Sequence, residues 1–259
     1  MAGGYPIAYR IAGDGPPLVL LHGFLCDSRV WRTQLNGLAD AFTVVAWDAP
    51  GAGSSPDPSD RFMLADWSEC LARFLDALRL EPAHVLGLSW GGMLAQDLYR
   101  LDPDRIASLT LANTHAGWRG SLRADAVEQR LERCIRESVL PADEFVGRWV
   151  PEFLTDAAPQ ELRNEMAAVV GDFHPLGFRL MARSLAETDT RELLRRVSAP
   201  TLLLWGEQDL RSPLSIAMQL RDAIPHAELA VIENAGHVSN MEQPGAFNAN
   251  VRDFVTRAL

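Results

Sequence analysis

Residues 83–99 read Ala83-His-Val-Leu-Gly87-Leu-Ser89-Trp-Gly91-Gly-Met-Leu-Ala-Gln-Asp-Leu-Tyr99. A short apolar run leads into Gly87-Leu-Ser-Trp-Gly91, and an amphipathic helical pattern follows from Met93 to Tyr99. A serine on such a strand-to-helix turn sits on a strained backbone, and the residues two before and two after it approach closely. Glycine has no Cβ to clash there. The turn lifts the hydroxyl above the sheet edge and aims the N–H groups of the next helix at the reacting centre. Those donors favour developing negative charge. Ser89 is therefore the candidate nucleophile.

The same grammar extends in both directions. Leu18–Leu21, Thr43–Trp47, Ile106–Leu111, Thr201–Trp205 and Leu229–Ile232 are further apolar runs of strand length. Continuous runs of this kind suit strands buried on both faces of a parallel sheet. Helical patterns separate them. Leu64, Trp67, Leu71, Phe74, Leu75 and Leu78 share one helix face, Ala217–Ile224 follows the fifth run of the series, and Phe247, Val251, Phe254 and Val255 mark a closing helix. Strands alternating with helices predict βαβ units and a doubly wound, mostly parallel α/β sheet.

One stretch breaks the alternation. From His115 to Leu194 only helical patterns and loop signals occur, punctuated by Pro141, Pro151, Pro159 and Pro175. It reads either as a lid or as a longer helical layer, and the lid is preferred. The expected division is a core of residues 1–114 and 191–259 with a helical cap at 115–190.

A serine nucleophile needs a base, an orienting acid and two oxyanion donors. His22-Gly23-Phe24 closes the Leu18 run, so the backbone N–H of Phe24 and that of Trp90 are the expected donors. His22 is expected to brace this loop. His237 follows the last apolar run and suits proton transfer near neutral pH. Asp209, in Trp205-Gly-Glu-Gln-Asp209, is expected to fix the imidazole tautomer, with Glu207 as the local competitor. The chain order Ser, Asp, His is that of one serine-hydrolase architecture and differs from others. His84 and His226 read as structural, while His115 and His174 border the proposed cap.

The chain has 259 residues and a formal net charge of -10. That acidity, without a basic run, disfavours nucleic acid and polybasic membrane contacts as partners. Three widely spaced cysteines, Cys26, Cys70 and Cys134, suggest neither a disulfide framework nor a zinc site. No metal or organic cofactor is expected. No secretory signal or membrane-length apolar run is visible, so a cytoplasmic location is expected.

Taken together, His22-Gly-Phe24, Asp48-Ala-Pro-Gly-Ala-Gly-Ser-Ser55, Gly87-Leu-Ser-Trp-Gly-Gly92, Trp205-Gly-Glu-Gln-Asp209 and Gly236-His237 resemble the α/β-hydrolase superfamily. Two segments, Gly87–Gln96 running on to Leu111-Ala-Asn-Thr114, and His237-Val-Ser-Asn-Met-Glu-Gln-Pro244, are similar to 3-oxoadipate enol-lactonases and their relatives. The resemblance implies ester or lactone cleavage on a small molecule. It implies about eight strands, a structural turn at Asp48–Ser55 after the fourth strand, and a cap inserted after the sixth. The chain departs from the lactonase pattern at Trp90, where methionine is common, and an indole there would reshape the acyl pocket. Trp118, Trp149 and His115 are the candidate substrate contacts, and Arg119, Arg148, Arg179 and Arg183 the candidate carboxylate partners. Carbon–carbon bond hydrolysis of a diketone, perhydrolysis, and a non-catalytic receptor reusing the fold are the competing readings.

Overall fold

The apolar runs pair as strands in a computed structural model, which describes residues 4–259. The strands are β1 (Tyr9–Ala12), β2 (Pro17–Leu21), β3 (Thr43–Trp47), β4 (Ala83–Leu88), β5 (Ile106–Ala112), β6 (Thr201–Gly206) and β7 (Glu228–Ile232). They form one sheet in the order β1-β3-β2-β4-β5-β6-β7. β1 runs antiparallel to β3, and every other pairing is parallel. All residues of β4 are buried, as a strand covered by helices on both faces requires.

The described residues give seven strands where about eight were expected. Upstream of β1 only an isolated bridge forms, at Tyr5. Gly4, at φ 88°, and Pro6 both disfavour a further strand there. Counted on this sheet, the Asp48–Ser55 turn follows β3 rather than a fourth strand. The helical insertion follows β5 rather than a sixth.

Helices α1 (Arg32–Leu38), α2 (Leu64–Leu78) and α3 (Trp90–Leu101) connect the first half of the sheet. The segment between β5 and β6 is all helix and loop: α4 (Trp118–Ser121), α5 (Ala124–Glu137), α6 (Ala142–Trp149), a 3-10 turn (Val150–Glu152), α7 (Gln160–Gly171), α8 (Pro175–Glu187) and α9 (Arg191–Leu194). The chain then closes with α10 (Leu214–Ala223), α11 (Ser239–Glu242) and α12 (Pro244–Arg257). No helix among the described residues is long and apolar enough to cross a membrane.

This strand order places a topological switch between β2 and β4. The chain leaves β2 for β3 on one side and returns to β4 on the other. Crevices at the carboxyl ends of such strands are where open α/β sheets hold ligands. His22 and Ser89 each directly follow one of those ends.

Candidate active site

Ser89 occupies the turn from β4 into α3 with φ 53° and ψ -114°. A non-glycine residue there is strained, so the surrounding packing must hold it. The flanking glycines make that packing possible. A Cβ on Gly87 would lie 2.3 Å from the carbonyl oxygen of Gly91, and one on Gly91 would lie 2.2 Å from that of Leu21. Either contact would push the turn apart. The hydroxyl of Thr114, just past β5, donates to the Ser89 carbonyl at 2.5 Å and pins the strained residue.

The Ser89 side chain meets the loop after β7. Its Oγ lies 2.9 Å from Nε2 of His237, and Nδ1 of that ring lies 2.9 Å from Oδ2 of Asp209. A carboxylate only accepts, so Nδ1 carries the proton and Nε2 is left to accept from the serine hydroxyl. All three residues are buried, and Ser89 is 7% exposed.

Asp209 is held from four directions. Oδ2 accepts from His237 and from the amide of Asn113 at 2.8 Å, and Oδ1 accepts the backbone N–H groups of Arg211 at 2.8 Å and Ser212 at 3.0 Å. Burial alone would push its pKa up. Attraction to His237 and the bonds from His237, Ser212 and Asn113 outweigh burial and hold it below the usual carboxylate range. Glu207 is exposed and accepts from the Asn234 backbone, away from His237.

The loop after β2 comes beside the serine. A Cβ added to Gly23 would lie 3.3 Å from Cβ of Ser89. Among the described residues the backbone N–H groups of Phe24 and Trp90 have no acceptor. His22 is fully buried, and burial lowers its pKa. Its Nδ1–H donates to the Gly23 carbonyl at 2.9 Å and its Nε2 accepts from the Ala49 N–H at 3.0 Å. The ring thus stays neutral and ties this loop to the turn after β3. Asp48 organises that turn by accepting from the Ser28 and Ser54 N–H groups.

The Trp90 indole, where the lactonase pattern has methionine, is fully buried and engaged by the helical insertion. Its Nε1 donates to Ser184 Oγ on α8 at 2.9 Å, and its ring packs edge-on against Trp67. The partner lies 94 positions away along the chain, which local reading cannot reach.

Two further residues escaped the sequence reading of the site. Asn113, at φ 48°, donates to Asp209 and accepts from Ser239 Oγ at 2.7 Å. Glu242 accepts the Gly236 N–H at 2.8 Å through one oxygen and both the N–H and hydroxyl of Thr155 through the other. Both lie in segments that carried the lactonase resemblance, which was the only signal for them.

Of the expected substrate contacts, Trp118 and Trp149 are buried and pack edge-on against Phe24, with centroids 6.5 and 6.0 Å apart. Both line a cavity of about 390 Å³ with Arg130, Arg133 and Arg211. His115 is buried, and its Nδ1 has no partner. Burial first, then the like charges of His237, Arg130 and Arg211, lower its pKa to about 3. The expected carboxylate partners are placed less favourably. Arg148 holds Glu137 and Glu144, Arg179 holds the Ser138 hydroxyl, and Arg119 and Arg183 are exposed. Among the described residues no three His, Cys, Asp or Glu side chains cluster as a metal ion would require.

Residues 18–250 match the model of the alpha/beta hydrolase family. The chain belongs to that family. This hydrolase is 29% identical over 246 residues to 3-oxoadipate enol-lactonase 2 of Acinetobacter baylyi, a match covering 94% of this chain and 90% of that one. It superposes on a thermophilic esterase from Thermogutta terrifontis with a TM-score of 0.91 at 27% identity, over 98% of this chain and 94% of the other. An enol-lactonase from Burkholderia xenovorans shares the fold at a TM-score of 0.90 and 24% identity, over 98% of each chain.

Proposed function

We propose that this hydrolase cleaves a carboxylic ester or lactone of a small molecule through an acyl-enzyme on Ser89. The observation that carries the reading is the buried, continuous hydrogen-bond path from Ser89 Oγ through His237 to Asp209. A binding protein has no need of a strained serine aligned on an imidazole nitrogen that a buried carboxylate orients.

In the mechanism, Nε2 of His237 takes the Ser89 proton as Oγ attacks the substrate carbonyl. Asp209 stabilises the imidazolium that forms. The oxyanion accepts from the backbone N–H groups of Phe24 and Trp90, which have no other acceptor. His237 then delivers its proton to the leaving oxygen, and the C–O bond breaks. Water, deprotonated by the same nitrogen, attacks the acyl-enzyme and releases the acid and free Ser89.

The helical insertion at residues 115–190 acts as the cap, which excludes water and shapes the pocket. Supporting this, Trp118, Trp149 and Phe178 all pack onto Phe24. Trp118, Trp149 and His115 are the contacts assigned to the substrate.

The deciding experiment is labelling with a fluorophosphonate probe, read by intact mass. The wild-type chain should gain one adduct and Ser89→Ala none, with short p-nitrophenyl ester turnover lost in parallel. A folded wild-type protein that takes no adduct and turns over no ester overturns the reading.

A further inference from the structure

His174 directly precedes α8 in the insertion and reaches across to the segment after β3 in the core. Its Nδ1 lies 2.9 Å from Oδ1 of Asp57, and its Nε2 lies 3.0 Å from the carbonyl oxygen of Gly53. A carboxylate and a backbone carbonyl only accept. Both ring nitrogens must therefore carry a proton for the two bonds to exist together, and such a ring is an imidazolium. A neutral ring answers one acceptor and turns a bare lone pair towards the other oxygen.

The other charges around the ring are already held. Asp27, Asp172 and His174 line one small cavity with Gly53, and Arg29 pairs with both of those carboxylates. Asp48 lies against Gly53 and accepts the Ser28 and Ser54 N–H groups. His174 is the only cation that holds Asp57 among the described residues. The bridge therefore turns on the charge states of His174 and Asp57.

Both ends of the bridge are stiff. Asp57 stands between Pro56 and Pro58, and proline fixes its own φ and restricts the residue before it. Pro175 opens α8 directly after His174, and the Phe178 N–H donates to the His174 carbonyl at 2.8 Å. Beside the bridge the two backbones touch. A Cβ on Gly177 would lie 2.0 Å from the carbonyl oxygen of Gly51. α8 is thus seated directly on the turn after β3.

The next residue carries that seat to the reaction centre. Phe178 stacks on Phe24, with centroids 4.7 Å apart and 19° between the ring planes. Phe24 is the proposed oxyanion donor, and its neighbour Leu25 has φ 60°. A leucine in that region is strained and persists only where the surrounding packing imposes it. Holding the Phe24 ring therefore holds the direction of its N–H.

We propose that His174, as an imidazolium bridging Asp57 and Gly53, is a positioning residue for the oxyanion site: it seats α8 on the turn after β3 and so keeps Phe178 against Phe24. The bridge is complete at low pH and loses one bond as pH rises through the range, about 5 to 8, in which histidines change charge. This rests on the hydrolase reading of Ser89.

The test measures kcat for p-nitrophenyl acetate between about pH 6 and about pH 8.5. Each variant's value is divided by that of the wild type at the same pH, which cancels the titration of His237. Glutamine, like the neutral ring, answers one acceptor at every pH. His174→Gln should therefore lower kcat about threefold at the acid end, the size of one partly exposed hydrogen bond, and converge on the wild type at the alkaline end. KM should change less than kcat, as for a misplaced donor in an intact pocket. Asp57→Asn supplies an amide that accepts from the charged ring or donates to the neutral one. It should match the wild type at the acid end and exceed it about threefold at the alkaline end. Amide hydrogen exchange across α8, corrected for the intrinsic rate at each pH, should follow the same pattern. A ratio that stays flat with pH in one variant or both, or one that changes while exchange across α8 does not, overturns the bridge and leaves the hydrolase reading standing. Should His174→Gln fail to melt cooperatively, Asp57→Asn, at an exposed position, decides alone. No Ser89-dependent cleavage of the ester overturns both.

Discussion

The carbonyl oxygen of Phe153 accepts the backbone N–H of His237 at 3.1 Å. The same oxygen accepts the N–H of Val238 at 3.2 Å. Phe153 belongs to the helical insertion, so the loop carrying the imidazole is tied to the insertion rather than to the sheet alone. Glu242 doubles the link by joining Gly236 to Thr155. The turn carrying Ser89, the proposed nucleophile, is tied to the same body through Trp90 and Ser184. The insertion thus holds both Ser89 and His237 in place through these bonds.

Glu242→Gln should expose that role. Glutamine offers one acceptor oxygen where the carboxylate offers two, so either Gly236 or Thr155 loses its partner. Charge-assisted bonds to backbone N–H groups contribute about 1.5–3 kcal/mol. We expect kcat to fall about tenfold with a smaller change in KM, because the base is misplaced while the pocket survives. Steady-state kinetics beside a thermal melt separates this from general loosening, which would lower Tm and leave kcat of the folded fraction intact.

The two acidic candidates near β6 should behave very differently. Asp209→Asn removes the charge that orients and stabilises His237, and such a change costs about 10⁴-fold in kcat in triad enzymes. Glu207→Gln alters an exposed side chain bonded to the Asn234 backbone and should stay within about twofold. Parallel kcat measurements on the two variants decide it. A larger loss in Glu207→Gln would remove Asp209 from the mechanism.

Much of this was legible because it is local. Gly87, Ser89 and Gly91 announce the turn by their spacing within five residues, although the carbonyl that Gly91 must clear belongs to the distant Leu21. Strands β2 to β6 were readable because burial on both faces makes them apolar almost without a break, and β7, a half-exposed edge, was readable from Leu229 to Ile232 by its apolar run alone. β1 was not: Tyr9-Arg-Ile-Ala12 is an exposed edge with no apolar run. The site's supporting contacts were equally hidden. Asn113 meets Asp209 across 96 positions and Thr155 meets Glu242 across 87, and no local pattern encodes partners so distant.

Asn113→Ala should cost both stability and rate. Its left-handed backbone suits asparagine better than alanine, a difference of about 1 kcal/mol. The substitution also strips one donor from Asp209 and leaves the buried Ser239 hydroxyl without its acceptor, at about 1–3 kcal/mol. We expect a lower urea midpoint and a kcat reduced about tenfold. An unchanged midpoint would show that other groups satisfy both partners.

His115 makes acid stability testable. Its folded pKa of about 3 lies below the ordinary histidine value of about 6.5, because burial and the like charges of His237, Arg130 and Arg211 oppose protonation. Between those values the unfolded chain binds a proton that the folded chain refuses. Stability must therefore rise with pH across this window and be lost as pH falls from about 6.5 towards 3. The full span corresponds to about 5 kcal/mol. Asp209 adds a separate loss that begins lower, near the ordinary carboxylate value of about 4, since its folded pKa is depressed. His115→Leu removes the first component and keeps the second. Urea midpoints measured from pH 7 to pH 4 should fall steeply in the wild type and much less in the variant. Parallel slopes would mean that His115 takes up its proton in the folded state and that the wall between Arg130 and His237 is open to water.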